Sequence, residues 1–305
     1  VELVVNLTVP AVHAEVSTAI VATGRHVWSE KPIALDLPAA RALLDRAAEA
    51  GVRVGVAPDT VLGPAVQTAR RAVERGDIGT VLSAHTAFQS PGPDAWHPSP
   101  EFLFARGAGP LFDMGPYYFT ALVTLLGSVT RVSAVRSTGR TVRTIRTGPR
   151  AGTSFPVEVP THVAALACYE SGAVSQSVFS FDSPLAREGV VEITGTEGTL
   201  VVPDPNRFTG DVRIARGRGA DGEPRWEPVP GTGAGEGRGL GVLDLARAVR
   251  TGADPVATGD LGYHVLDVLI AVDRAAATGE SRQVRSRAGT VPAVPEDRDP
   301  YAATL

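Results

Sequence analysis

The sequence predicts an α/β chain in which a short parallel sheet is followed by an α+β domain with a largely antiparallel sheet. Three observations carry this reading. From Leu3 to Asp59, short β-branched runs alternate with helical ones over brief connections, the βαβαβ order of a parallel sheet with right-handed crossovers. From Val81 onward, strand-like runs follow one another with hairpin signals between them, such as Glu170-Ser-Gly and Thr196-Glu-Gly. The chain has 305 residues, more than one ordinary core accommodates, so two domains are expected. The predicted division is residues 1–60, residues 61–290 and a tail over 291–305.

The first predicted strand, Leu3 to Leu7, is continuous and apolar, as a fully buried parallel strand is. A helix over about 11–23 stops at Gly24. The second strand, His26 to Ser29, runs into Glu30-Lys31-Pro32. A second helix over about 37–50 stops at Gly51, and a third strand, Val52 to Val56, ends at Ala57-Pro58-Asp59. Each strand thus ends in a polar or proline-bearing turn, and ligands of open α/β sheets bind at that edge. A helix over 64–76 is expected to carry Arg70, Arg71, Glu74 and Arg75 on a solvated face. A Pro- and aromatic-rich loop spans 90–99, and a helix is expected over 116–126, ending at Gly127. Strands are expected over 131–136, 161–169, 173–181, 189–194, 199–202 and 212–215. A glycine-rich loop over 231–241 leads into a helix over 242–250. The last long helix, about 260–278, is positioned to pack back on the first domain.

Composition excludes several classes. The net charge is −4, which disfavours a nucleic acid partner because a phosphate backbone wants a basic face. No apolar run reaches the roughly 18 residues of a membrane span. Cys168 is the lone cysteine, so no intrachain disulfide forms. It sits in an apolar run that predicts a buried structural thiol, and a cytoplasmic location is expected. No Cys/His cluster exists, and His26, His85 and His264 have no companions, so no metal site is expected. Met114 is the single methionine and the chain opens directly in a strand, so an N-terminal piece is expected to be missing.

Of the 29 basic residues, 28 are arginine and Lys31 is the one lysine. A lysine retained in so arginine-biased a sequence, at a strand end, points to a role guanidinium cannot fill, because an ammonium shifts its pKa and exchanges protons. The alternative is a chance surface lysine. A G-x-G-x-x-G dinucleotide signature occurs once, Gly217 to Gly222, but it follows an antiparallel strand and precedes Glu-Pro-Arg-Trp, so it reads as a hairpin loop.

Three stretches, Val4-Val-Asn-Leu-Thr-Val-Pro-Ala-Val-His13, Gly24-Arg-His-Val-Trp-Ser-Glu-Lys-Pro32 and Gly107-Ala-Gly-Pro-Leu-Phe-Asp-Met-Gly-Pro-Tyr117, resemble in order and spacing the glucose–fructose oxidoreductase/inositol dehydrogenase/rhizopine-catabolism (Gfo/Idh/MocA) family. The resemblance implies a truncated Rossmann-like parallel sheet binding NAD or NADP, then a domain that contacts a carbohydrate-like substrate and forms a homo-oligomer through its sheet. It implies oxidoreductase activity on a hydroxyl or keto carbon of a sugar, polyol or related compound. Lys31 would sit beside the nicotinamide and the reacting hydroxyl. Asn6, Thr8, Pro10, His13 and Glu30 would meet the nicotinamide half of the cofactor. His13 is otherwise a helix-face histidine, Glu30 a surface carboxylate, and Pro32 shapes its turn, with a cis bond as one option.

Asp113 and Tyr117 are four residues apart and share a helix face if the helix starts early. The family pattern has a histidine as proton acceptor where this chain has Tyr117. An adjacent ammonium is expected to lower the phenol's pKa, so that a Tyr–Lys couple relays the proton. Otherwise Asp113 is a helix N-cap and Tyr117 a core phenol. Trp96 and His97 are expected at the substrate, with His97 as the alternative base, or in a structural role. Two other readings stand beside the enzyme: a dinucleotide-binding regulator without turnover, and a truncated chain that binds no cofactor.

Overall fold

The computed structural model describes residues 1–219, 221–231, 237–289, 291–299 and 302. Residue 220 of the Gly217–Gly222 loop, residues 232–236 of the glycine-rich loop and most of the last six residues lie outside that description.

The first sheet is parallel and has three strands, β1 (Leu3–Asn6), β2 (His26–Ser29) and β3 (Val54–Val56), in that spatial order. Helices α1 (His13–Val21) and α2 (Leu37–Glu49) make the crossovers. Asp36 caps α2 by accepting from Ala39 N–H at 2.8 Å. β1 was expected to be buried on all sides. It is instead an edge strand pairing only with β2, which leaves Val5 40% exposed. Trp28 of β2 lies so close to Gly55 of β3 and to Gly241 that a Cβ on either would stand within 2.6 Å of the indole. Glycine at both positions therefore lets α5 (Leu240–Thr251) rest on this sheet.

After α3 (Pro64–Glu74) comes a nine-stranded mixed sheet. It is built from β4 (Val81–Gln89), β5 (Val129–Ser137), β8 (His162–Tyr169), β9 (Val174–Ser180), β10 (Arg187–Gly195), β11 (Thr199–Val202), β12 (Arg213–Arg218), β13 (Pro224–Pro228) and β14 (Arg282–Gln283). Their order is β13-β12-β11-β10-β4-β9-β8-β5-β14. All pairings are antiparallel except β4–β9, so the sheet is largely, not wholly, antiparallel. Strands β6 (Val142–Thr144) and β7 (Ser154–Pro156) form a separate ribbon. The Gly217–Gly222 stretch turns β12 into β13, as the hairpin reading expected.

One face of the large sheet is covered by α4 (Gly109–Leu126) and α6 (Gly259–Thr278), with Tyr118, Phe119, Phe179 and Leu269 in the shared core. The other face is open. Cys168 lies half-buried on that open face, where Arg131 reaches its Sγ at 3.6 Å, so it is not the core thiol expected. The alternation of β8 points His162 to the same open face as exposed Leu166.

Helix α4 begins seven residues earlier than expected. Pro116 was read as a first-turn proline, but Pro110 occupies that position and Pro116 sits inside the helix. Asp113 is therefore a mid-helix residue, not a cap. Helix α6 does pack back on the first sheet: Leu266 joins the cluster of Val27, Val54 and Val56. The Arg70 and Arg71 side chains are mostly buried, contrary to the solvated face expected. They donate to the carbonyls of Val291, Pro292 and Val294, and Val294 N–H bonds to Gln67 Oε1 at 3.1 Å. The described part of the tail is thereby bound to α3 rather than loose.

His264 of α6 is buried in a chain of bonds. Its Nε2 accepts from Val129 N–H at 3.0 Å, so Nδ1 carries the proton and donates to Ser286 Oγ at 2.9 Å, which donates to Asp267 Oδ2 at 2.8 Å. Burial pushes its pKa down from 6.5 to about 4, with Asp267 opposing. The unfolded state therefore binds the proton first. Stability is full above pH 6.5 and falls as pH drops from 6.5 through about 4, by about 3 kcal/mol from this group. Urea unfolding between pH 7 and 4 should show that loss in the wild type, and His264→Gln should flatten the profile over that window.

Candidate active site

The carboxyl ends of the parallel strands hold polar groups, which at β1 bond to the next turn and helix and at β2 and β3 to elements far along the chain. At the end of β1, Asn6 is buried and faces inward. Its Nδ2 donates to His13 O (3.1 Å) and Ser17 Oγ (2.9 Å), while Oδ1 accepts from Thr8 Oγ1 (2.6 Å) and Thr8 N–H (3.2 Å). Asn6 thus shapes the turn into α1 and does not present itself to a ligand. His13 is also buried, with Nδ1 2.7 Å from Pro32 O and Nε2 2.8 Å from Thr8 O. It ties the turn after β1 to the turn after β2.

At the end of β2, Glu30 N–H bonds to Asn6 O (2.9 Å), and Glu30 Oε2 accepts from Lys31 N–H (3.1 Å). The Lys31–Pro32 peptide is cis. Lys31 crosses to α4, where Nζ donates to Asp113 O at 2.6 Å and to Asp113 Oδ1 at 2.8 Å. Burial is the strongest single influence on this ammonium and lowers its pKa. The Asp113 carboxylate, then Tyr117, the hydrogen bond to Asp113 and Glu30 together outweigh it, and the pKa ends above the ordinary lysine value.

Tyr117, one turn after Asp113, also meets Lys31: Nζ stands 5.1 Å from the ring centroid. Asp113 and Tyr117 share a face because the helix starts early. The expected sign of the phenol's shift is overturned. Burial raises the Tyr117 pKa and prevails over Lys31 and Arg238, which lower it.

Thr8, Pro10, His13, Glu30, Lys31 and Asp113 line one cleft of about 330 Å³, whose other walls are mostly apolar: Val9, Ala11, Leu35, Phe102, Leu103, Ala105, Ala108 and Phe112. Of the remaining candidates, Asn6 lies behind this cleft and Tyr117 beside it. Trp96 and His97 form a ladder of edge-on rings ending at the cleft wall: Trp96–His97 5.5 Å, His97–Phe102 5.4 Å between centroids. His97 Nδ1 accepts from Ser99 N–H at 3.0 Å.

Sequence reasoning missed the wall residues 102–108, whose signal is the apolar run just before the Asp113 motif. It also missed Asp59 and Arg238. Asp59, just past β3, is buried and accepts from Gly239 N–H at 2.8 Å, Gly241 N–H at 3.4 Å and Arg238 Nη1 at 3.5 Å. No sequence pattern links residues so far apart. Among the described residues no three His, Cys, Asp or Glu side chains gather as a metal site.

Comparison with known proteins gives two family matches that together span most of the chain: residues 1–57 match the oxidoreductase family with an NAD-binding Rossmann fold, and residues 66–201 match the GFO/IDH/MocA C-terminal domain. Levoglucosan dehydrogenase of Pseudarthrobacter phenanthrenivorans is 28% identical, over 86% of this chain and 75% of that protein. 1,5-Anhydro-D-fructose reductase of Ensifer adhaerens is 27% identical, over 92% and 78%. An NAD binding oxidoreductase from Klebsiella pneumoniae superposes with a TM-score of 0.78 at 25% identity, covering 94% of this chain and 81% of that one. Levoglucosan dehydrogenase in complex with NADH and levoglucosan shares the fold, with a TM-score of 0.77 at 24% identity over 93% and 80%. With both of its parts matched by that family's domains, the chain belongs to the Gfo/Idh/MocA family of NAD-binding oxidoreductases.

Proposed function

We propose that this protein is an NAD(P)-dependent oxidoreductase acting on a hydroxyl or keto carbon of a sugar, polyol or related compound. The observation that carries the reading is the Lys31 ammonium, held by Asp113 at the apolar cleft where the β1 and β2 ends meet. The names of the relatives, sugar dehydrogenases and reductases, support the substrate class.

The cleft fits the nicotinamide half of a dinucleotide. Val9, Pro10, Leu35 and Phe112 offer apolar walls to a flat ring, while Glu30 and Thr8 offer an acceptor and a hydroxyl for ribose. When bound, the nicotinamide supplies or accepts the hydride. The chain's own residues handle the rest. Two of the three Lys31 N–H groups go to Asp113, which leaves one for the substrate oxygen. Because its pKa is raised, Lys31 stays charged at neutral pH and stabilises a developing alkoxide rather than acting as the base. The proton then moves through Tyr117. As a phenol it donates to the alkoxide in the reduction direction, and in the oxidation direction it accepts once ionised. His97 is the less favoured alternative, since Nδ1 accepts from Ser99 N–H and the neutral ring then carries its proton on Nε2, where it cannot accept another.

The enzyme is further proposed to be a homo-oligomer of copies meeting at the open sheet face. On that face Leu166, 60% exposed, Val135 and Val174 stand beside polar side chains such as His85, Arg131, Gln176 and Glu192. A face that mixes apolar and oppositely charged side chains suits a self-complementary two-fold contact.

A panel of sugars and polyols assayed by reduced-nicotinamide absorbance, with NAD and with NADP, should give turnover. Lys31→Met should reduce it by about 10²–10³-fold, in line with losing one preorganised donor. Tight dinucleotide binding with no turnover on any sugar would instead make the protein a ligand-binding regulator. Oxidation should speed up as pH rises and the phenol ionises. Tyr117→Phe should remove that alkaline rise, whereas its persistence in Tyr117→Phe and loss in His97→Gln would move the proton role to His97. For the assembly, light scattering should give a multiple of the monomer mass, and Leu166→Glu should return the monomer.

A further inference from the structure

The scheme above gives no task to the second cation at the Tyr117 ring. The Arg238 guanidinium lies 5.5 Å from the Tyr117 ring centroid, so Tyr117 meets two cations, Lys31 from the end of β2 and Arg238 from the segment preceding α5. Arg238 is half exposed but fixed on several sides. Nη2 donates to Asn206 Oδ1 at 2.6 Å and to Asn206 O at 3.3 Å, Nη1 reaches Asp59 Oδ1 at 3.5 Å, and the guanidinium also lies over Phe208 at 5.6 Å. The Asp59 carboxylate is shared with two backbone N–H groups, so its neutralisation of Arg238 is partial.

We propose that Arg238 is a positioning residue for proton transfer: it fixes the Tyr117 ring and lends its charge to the phenolate form. The inference rests on Tyr117 as the proton-transfer group. The physical reason is that an ionised phenol carries more electron density in its ring than the neutral one, so a cation over the ring stabilises the ionised form more. The groups facing Tyr117 are Lys31 and Glu30 at the end of β2, Asp113 on α4, and Arg238 with its partner Asp59. Lys31 is already balanced by Asp113 at 2.8 Å, whereas the Asp59 contact to Arg238 is longer. Lys31 has the larger downward influence on Tyr117, and Arg238, half exposed and only loosely held by Asp59, adds a smaller one in the same direction.

The test has two arms. In the protein without cofactor or substrate, the alkaline absorbance change of tyrosinate, taken as wild type minus Tyr117→Phe, reports Tyr117 directly. Arg238→Met should move that titration up by about one pH unit, the size expected for losing an opposite charge at this range, and Arg238→Lys should restore most of it. In turnover, the alkaline rise of the oxidation rate should move by the same amount in Arg238→Met. An unchanged tyrosinate titration in Arg238→Met would overturn the proposal. So would a shift that Arg238→Lys does not restore, because that marks a purely structural anchor. If the absorbance arm shifts while the turnover profile does not depend on Tyr117 at all, the assignment of Tyr117 as the proton-transfer group fails, and the coupling of Arg238 to Tyr117 stands.

Discussion

The Lys31–Asp113 contact joins the two halves of the molecule at the point where chemistry is expected. One end is anchored by a parallel strand that ends at Ser29, two residues before the lysine; the other by a helix that packs on the large sheet. Both side chains are mostly shielded from water, so the pair is not the weak surface ion pair that solvent and salt would cancel. Breaking it from either side would leave a shielded charge without its partner, which costs more than the pair itself contributes. This contact holds the ammonium at the cleft and beside Tyr117, and with Tyr117 and Glu30 it keeps the group charged.

Around it, the ends of the three parallel strands act alike. Asn6 shapes the turn after β1, Lys31 reaches from β2 to α4, and Asp59, just past β3, receives the backbone of the segment before α5. Parallel strands expose their last carbonyls and side chains at a single edge, so each strand end becomes a fixed point for an element that arrives later in the chain. Polar groups at such an edge divide into those that hold the frame and those left free for a ligand. Asn6 and His13 belong to the frame, since nearly all their hydrogen-bonding capacity is met by the protein. Glu30, the Thr8 hydroxyl as an acceptor and the third Lys31 N–H remain available.

That division could not be read from residue types. A polar residue at a strand end looks the same in sequence whether it turns toward a ligand or toward a backbone carbonyl, so the hydrogen bonds that tie Asn6 and His13 to the protein were not legible there. The start of α4 was misjudged because Pro110 and Pro116 are both acceptable first-turn prolines; helix packing, which is tertiary, chose the earlier start and moved Asp113 from cap to mid-helix. The sign of the Tyr117 shift depended on burial, and proximity to Lys31 alone pointed the wrong way.

The sequence by itself determined the order of helices and strands, the parallel character of the first sheet, the family, and the placing of its one lysine just past a strand end, because periodicity, turn residues and motif spacing are local and survive in one dimension. The tertiary structure decided which polar side chains face the cleft, that the described tail packs on α3, and that Asp59 and Arg238 meet beside Tyr117. Those outcomes are sums of burial and long-range contact between segments far apart in the chain, and no local pattern encodes them.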